Sequence, residues 1–337
     1  MSSSVTRLAI VVVYHLTSDD DLPLLELHLD RIERNTTVPF TIHAATNRAS
    51  GAARELLRSH GAVRCIDIPA THLRGSREHG YYLDALVASA LDDGATHVCT
   101  LDVDSFPIRN DWVERIADLA PPTSGVVGVL RRENGDIALP HPSCTFLRRD
   151  FVERFAPSFS PDSDGTPDFR RFLHSTGQAG DTGIRIGYTL WSEQLPWGRL
   201  LRTNVEDPHP IIAGLYGDCV FHLGATASGT VFRRDLATST VHRATRPLER
   251  VPLRPQPLTR AKRTLLDRLR APAEAQLKAS NRAVFTDLRA WLLEDPDGLV
   301  AYLSGNEPCD TERAARLLHA GTRCLGSPRT PTAERSS

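Results

Sequence analysis

Apolar runs alternate with helical patterns through residues 8–130, and that alternation leaves the chain few architectures to choose from. Leu8-Ala9-Ile10-Val11-Val12-Val13-Tyr14 is a continuous, largely β-branched run, as a strand buried on both faces requires. Leu22, Leu25, Leu29 and Ile32 then follow helical spacing behind the acidic start Asp19-Asp20-Asp21, which suits a helix N-terminus. Strand-like runs recur at 40–46, 63–68, 97–101 and 125–130. Helical stretches are expected between them over 52–59, 82–91 and 111–119. This βαβαβαβ pattern predicts a mainly parallel, doubly wound sheet flanked by helices.

The fourth run, His97-Val98-Cys99-Thr100-Leu101, leads straight into Asp102-Val103-Asp104. Both acids should therefore lie at the carboxyl end of a strand, the edge where open α/β sheets bind ligands. Two hard oxygen ligands there suit Mg²⁺ or Mn²⁺, and such an ion would hold a diphosphate and neutralise its charge. An acidic pair in a surface turn is the competing explanation, but the buried strand before it favours the site. The turn after the first strand lacks Gly-x-Gly-x-x-Gly, and the chain has no Gly-x-x-x-x-Gly-Lys-Ser/Thr. Dinucleotide and P-loop fingerprints are thus both absent.

Position suggests further contacts. Tyr14, His15 and Thr17 follow the first strand, where an aromatic ring can stack on a nucleobase and polar groups can pair with its edge. Asn47 occupies the same place after the second strand. Arg77 and Asp84 flank the start of the next helix, where an arginine can meet phosphate and a carboxylate can accept from a sugar hydroxyl. From 140 to 245 the pattern is mixed, with short strands and the Gly-rich turn Gly177-Gln178-Ala179-Gly180-Asp181-Thr182-Gly183. Asp181 is the candidate general base, with Asp164, Asp168 and Glu193 as alternatives.

Taken together, Leu101-Asp102-Val103-Asp104-Ser105-Phe106-Pro107, His79-Gly80-Tyr81-Tyr82-Leu83-Asp84-Ala85-Leu86 and Tyr216-Gly217-Asp218-Cys219-Val220-Phe221-His222-Leu223-Gly224 resemble the GT-A glycosyltransferases, particularly the large inverting family-two group. The resemblance spans roughly residues 7–235. It implies a GT-A, Rossmann-like sheet with a mixed α+β acceptor half. It implies Asp102 and Asp104 on a metal that grips the donor's diphosphate, with Asp102 alternatively on the ribose or reaching the metal through water. It also implies that His79 faces nucleotide and sugar, and that His222 joins the metal, with His242 as the competing imidazole. The family's paired acid at the base position is missing here, since Gly180-Asp181-Thr182-Gly183 offers one carboxylate. The implied activity is transfer of a sugar from a UDP-, GDP- or TDP-linked donor to an acceptor hydroxyl with inversion, the acceptor being a secondary metabolite or an oligosaccharide.

The organisation that follows is a glycosyltransferase domain over 1–245, divided into a nucleotide-sugar half (7–135) and an acceptor half (136–245). Pro247, Pro252, Pro255 and Pro257 mark an expected linker over 246–258. Helices at 260–278, 281–294 and 311–318 form an expected C-terminal helical appendage (259–325), before a disordered tail at 326–337.

Composition excludes other classes. A net charge of −1 gives no basic excess for nucleic acid. No segment approaches the roughly 18 apolar residues of a membrane span, though the basic stretch Arg260-Ala261-Lys262-Arg263 is suited to a membrane surface. The six scattered cysteines form no Cys-x-x-Cys pair, so reduced thiols and a cytoplasmic protein are expected. Two alternatives stand beside sugar transfer. One is a nucleotidyltransferase, disfavoured by the glycine-free turn Tyr14-His15-Leu16-Thr17-Ser18-Asp19; the other is a non-catalytic glycan- or partner-binding relative, disfavoured by the intact acid pair.

Overall fold

The computed structural model describes residues 5–162, 165–178, 180–224, 231–252 and 256–306. The elements are β1 (Leu8–Leu16), α1 (Leu22–Asn35), β2 (Phe40–Ala49), α2 (Gly51–Ser59), β3 (Val63–Cys65), α3 (Ser76–Asp92), β4 (His97–Leu101), β5 (Ser105–Pro107), α4 (Trp112–Leu119), β6 (Val126–Val129), β7 (His141–Arg148), α5 (Arg149–Phe155), α6 (Pro167–Thr176), α7 (Ile184–Ser192), β8 (Gly198–Leu200), β9 (Gly214–Tyr216), β10 (Val220–His222), α8 (Arg233–Thr238), α9 (Thr240–Arg250), α10 (Gln256–Glu294) and α11 (Pro296–Leu303). A seven-stranded sheet runs in the order β3-β2-β1-β4-β7-β6-β8, and a three-stranded sheet in the order β5-β10-β9. β1 pairs in parallel with β2 and β4, and β6 with β8, whereas β7 is antiparallel to both β4 and β6. The mainly parallel, helix-flanked α/β sheet read from the sequence is therefore present.

β1 explains its own composition. Leu8, Ile10, Val12, Tyr14 and Leu16 pack on one face with Leu25, Leu29 and Ile32 of α1, Leu57 of α2 and Trp112 of α4. Ala9 and Val11 pack on the other with Leu83 and Leu86 of α3, Phe151 of α5 and Ile186 of α7. Two dry faces exclude the polar alternation of a half-exposed strand.

Three features depart from the sequence expectation. β7 is inserted between β4 and β6, so those strands are not neighbours. The helix expected over 82–91 begins at Ser76, which puts Arg77, Glu78 and His79 in its first turn. The helices expected at 260–278 and 281–294 are one helix, α10, with Pro272 inside it. Asn281, the expected start of the second, lies inside this helix and is buried with its side chain satisfied: it donates from Nδ2 to Asp235 Oδ2 (2.7 Å) and lies 3.3 Å through Oδ1 from His209 Nε2. Likewise Pro247 lies inside α9, and Pro257 in the first turn of α10, where a missing N–H costs nothing. The expected helix at 311–318 and tail at 326–337 lie outside the described residues.

Candidate functional site

Strand order reverses between β1 and β4, and the crevice beyond the carboxyl ends of these two strands is where such sheets take ligands. β4 ends at Leu101, so Asp102 opens this edge. β5 follows at once and pairs antiparallel with β10, with His222 opposite Ser105, while the Leu223 N–H donates to the Asp104 carbonyl (2.9 Å). That pairing folds a histidine from far along the chain onto the two acids. His222 Nε2 lies 3.8 Å from Asp102 Oδ2 and 3.7 Å from Asp104 Oδ1. One ligand atom from each of the three residues falls within 4.8 Å of the others.

These separations are too long for hydrogen bonds. They suit donors grouped around one ion with bonds of about 2.1 Å. The electrostatics agree. Burial pushes the Asp102 carboxyl up to about 6; His222 pulls it down, Asp104 pushes it up, Arg131 lowers it and Asp181 raises it further. A partly buried carboxylate beside a second one, with no hydrogen bond from another described residue to repay its desolvation, fits a cation. Two carboxylates and an imidazole make a hard, mixed O/N set appropriate to Mn²⁺ or Mg²⁺.

α3 brings its first turn to the same place. His79 Nε2 is 3.7 Å from Asp102 Oδ1. Burial pushes its imidazole down to about 4, against the pull of Asp181 and with the help of His15. Asp181 is tied to this helix start, since Ser76 Oγ donates to its Oδ1 (2.7 Å) and Thr182 Oγ1 donates to the Ser76 carbonyl (3.2 Å). Gly183 turns the chain here at φ +86°, where a Cβ would lie 2.8 Å from the Pro140 carbonyl oxygen. Asp102, Asp104, His222, His79, His15 and Asp181 thus share one neighbourhood.

Other expected contacts are spent elsewhere. Tyr14 is fully buried, its ring set edge-on to His28 at 5.7 Å, so it has no face for a nucleobase; the strand's pleat turns His15 outward instead. Thr17 is exposed beyond β1. Asn47 Nδ2 donates to the Ile68 carbonyl (2.9 Å) and braces a loop. Arg77 points to solvent in an ion pair with Asp162 (2.6 Å). Asp84 accepts from Ser158 Oγ (2.6 Å) and the Phe159 N–H (2.7 Å) and so holds the 158–160 segment against α3. Gly80, one turn earlier, allows that approach, since a Cβ there would meet the Phe159 carbonyl oxygen at 2.7 Å. His242 lies 2.9 Å from Glu274 between α9 and α10, away from the acids. Asp168 pairs with Arg171 on an exposed helix face, Glu193 is exposed, and Asp164 lies outside the described residues.

The sequence reading missed His141, Arg131 and Tyr216. The His141 ring centroid is 5.6 Å from that of His222, and burial, then Arg131, His222 and His79, holds its imidazole well below the ordinary value. Arg131 is braced by Asp136 (3.0 Å). Tyr216, whose ring lies 6.4 Å from His222, donates from its hydroxyl to Glu133 (2.6 Å). Only the Pro-rich context of His141, Leu139-Pro140-His141-Pro142, marks it in the sequence.

Fold and site together define an α/β protein with a candidate divalent-metal centre at the carboxyl edge of its main sheet. No protein-family model matches the chain, and no curated protein matches it in sequence. Among solved structures, the chain is similar to a mannosyltransferase from Pyrobaculum calidifontis determined with GDP-Man and Mn²⁺, at 15% identity and TM-score 0.43 over 96% of this chain and 88% of that one. It is also similar to the galactosyltransferase LgtC determined with donor and acceptor sugar analogs, at 12% identity and TM-score 0.36 over 75% of this chain and 99% of that one. A third similarity is to S. aureus TarS 1-349 determined with UDP-GlcNAc, at 10% identity and TM-score 0.31 over 45% of this chain and 48% of that one.

Proposed function

We propose that this chain is a metal-dependent glycosyltransferase that moves a sugar from a nucleotide-sugar donor to an acceptor hydroxyl, with inversion at the anomeric carbon. The observation that carries the proposal is the Asp102–Asp104–His222 cluster, with ligand atoms within 4.8 Å of one another at the sheet edge. These three residues would hold the ion. A divalent cation held by them would supply Lewis-acid neutralisation of the diphosphate's charge.

The protein's own groups do the rest. His15, at the exposed end of β1, borders the nucleotide's approach. His79, whose partly buried imidazole is held down to about 4, offers a hydrogen bond without adding charge beside Asp102. Asp181, oriented by Ser76 and the Thr182 N–H, takes the proton from the acceptor hydroxyl. The acceptor oxygen then bonds to the anomeric carbon as the bond to the diphosphate breaks on the opposite face. Holding both substrates in line supplies much of the rate.

The test is a thermal-shift series with UDP, GDP and TDP, each with and without Mn²⁺, in the wild type and Asp104→Ala. A ligand that binds only the folded chain at 100 times its dissociation constant adds about 2.7 kcal/mol, or several degrees in a protein of this size. One nucleoside diphosphate should stabilise the wild type only with Mn²⁺, and Asp104→Ala should lose the effect. Absence of any metal-dependent shift in the wild type would sink the proposal. Release of pyrophosphate from a nucleoside triphosphate would replace it with nucleotidyl transfer.

A further inference from the structure

The sheet that carries the acids has a second opening on the same edge. β7 is antiparallel to β4 and β6, and β6 is parallel to β8, so β4, β6 and β8 all end at one edge. A cavity of about 330 Å³ lies beyond the ends of β6 and β8, lined by Leu130, Arg132, Gly135, Asp136, Ile137 and Arg199. In the order β4-β7-β6-β8 these two strands stand two and three spacings from β4, roughly 10 and 14 Å.

The turn at 131–136 joins the cavity to the metal cluster. Its Glu133 accepts from the Tyr216 hydroxyl (2.6 Å), and the Tyr216 ring lies 6.4 Å from that of His222. The chain after the turn passes under α7, the helix that begins just past Asp181. Cβ atoms at Gly183 and Gly187 would meet the Pro140 and Ala138 carbonyl oxygens at 2.8 and 1.9 Å.

Charge at the cavity is one-sided. The Asp136 carboxylate is buried and committed to Arg131 (3.0 Å), and Glu133 is committed to Tyr216. Arg132 and Arg199 are exposed, and neither side chain makes an ion pair or hydrogen bond with another described residue. The Trp197 ring, 5.4 Å from the Arg199 guanidinium carbon, steadies that side chain without using its N–H donors. Ile137, 61% exposed, adds an apolar wall. Two planar guanidinium forks at one cavity match a phosphate or carboxylate.

We propose that this cavity is the subsite for an anionic group on the acceptor, a phosphate or a carboxylate, an assignment that rests on the sugar-transfer function proposed above. Arg132 and Arg199 hold the anion, and the acceptor hydroxyl reaches back along the sheet edge towards Asp181. A neutral acceptor forfeits both contacts, so the arginines select for charge.

Calorimetric titration of the metal-free full chain with inorganic phosphate, and separately with acetate, at constant ionic strength tests the assignment. Without metal the acid cluster repels both anions. At least one should bind, and the tighter names the group. An exposed arginine contact is worth up to about fivefold, so Arg132→Gln/Arg199→Gln should bind about 25-fold more weakly with an unchanged melting temperature. The same variant should keep the Mn²⁺-dependent stabilisation by a nucleoside diphosphate. Saturating nucleoside diphosphate and Mg²⁺ should leave the wild type's anion affinity unchanged. No binding of either anion, or equal affinity in the variant, overturns the subsite and leaves sugar transfer standing. Displacement of the anion by the nucleoside diphosphate would place it in the donor site and overturn the acceptor assignment. Anion binding with no metal-dependent nucleotide shift in the wild type would remove sugar transfer and the acceptor role with it.

Discussion

If Asp102 is a carboxylate kept for a cation, removing it should stabilise the metal-free protein. The Asp102 side chain is 22% exposed, and burial raises its carboxyl from 3.8 to about 6. Two units at about 1.36 kcal/mol each give a cost of about 3 kcal/mol for the charged form at neutral pH. The direction follows from proton binding. Between about pH 4 and 6 the folded chain holds the Asp102 proton more tightly than the unfolded chain, so stability falls as pH rises through that window. Asp102→Asn keeps the shape and removes the charge. It should exceed the wild type at pH 7 without metal by about 1–3 kcal/mol, the lower figure allowing for solvent screening of a side chain that is 22% exposed. The two proteins should converge towards pH 4. Mn²⁺ at 1,000 times its dissociation constant should reverse the order, because the wild type then gains about 4.1 kcal/mol of binding energy and the variant, short of one charged ligand, gains much less. Urea unfolding followed by circular dichroism at both pH values, in chelator and in Mn²⁺, measures all four differences. A metal-free Asp102→Asn no more stable than the wild type at pH 7 would refute the electrostatic reasoning, and an order unchanged by Mn²⁺ would refute the metal assignment.

His222→Ala should weaken Mn²⁺ affinity by about 10-fold or more with the fold intact, while His242→Ala, which removes contacts to Glu274 and Ser239, should leave it unchanged; calorimetric titration of both variants decides the ligand. Asp181→Asn should lower kcat by about 10²–10⁴-fold with donor affinity nearly unchanged, because the base acts only in the attack step; equal turnover at saturating substrates would remove the role from Asp181. Gly80→Ala should destabilise the protein by about 1–3 kcal/mol despite the better helix former, since the new Cβ meets the Phe159 backbone at 2.7 Å, and a melting temperature equal to the wild type would contradict that packing.

Much of the architecture was written locally. A strand covered on both faces is mostly apolar, so β1 and β4 announce themselves, and the acids directly after β4 mark the sheet edge where Asp102 and Asp104 stand. Helical periodicity likewise located α1 and most of α3 and α4. What pairs across the sheet is not local. β7 enters between β4 and β6 through pairings to residues far away in sequence, and β10 lies against β5 for the same reason, which is how His222 rather than His242 reaches the acids. The pleat decided which side chain at the end of β1 faces outward: Tyr14 goes into the core and His15 does not. Asp84 and Gly80 share a helix face, but only the 158–160 segment packed on it gives them their work. His141 joins the site because β7 carries it there, and α10 continues past Asn281, whose buried side chain Asp235 and His209 satisfy. Sequence by itself fixed what burial requires residue by residue. The tertiary structure decided which distant residues meet, because strand pairing and side-chain satisfaction depend on neighbours the chain supplies only when folded.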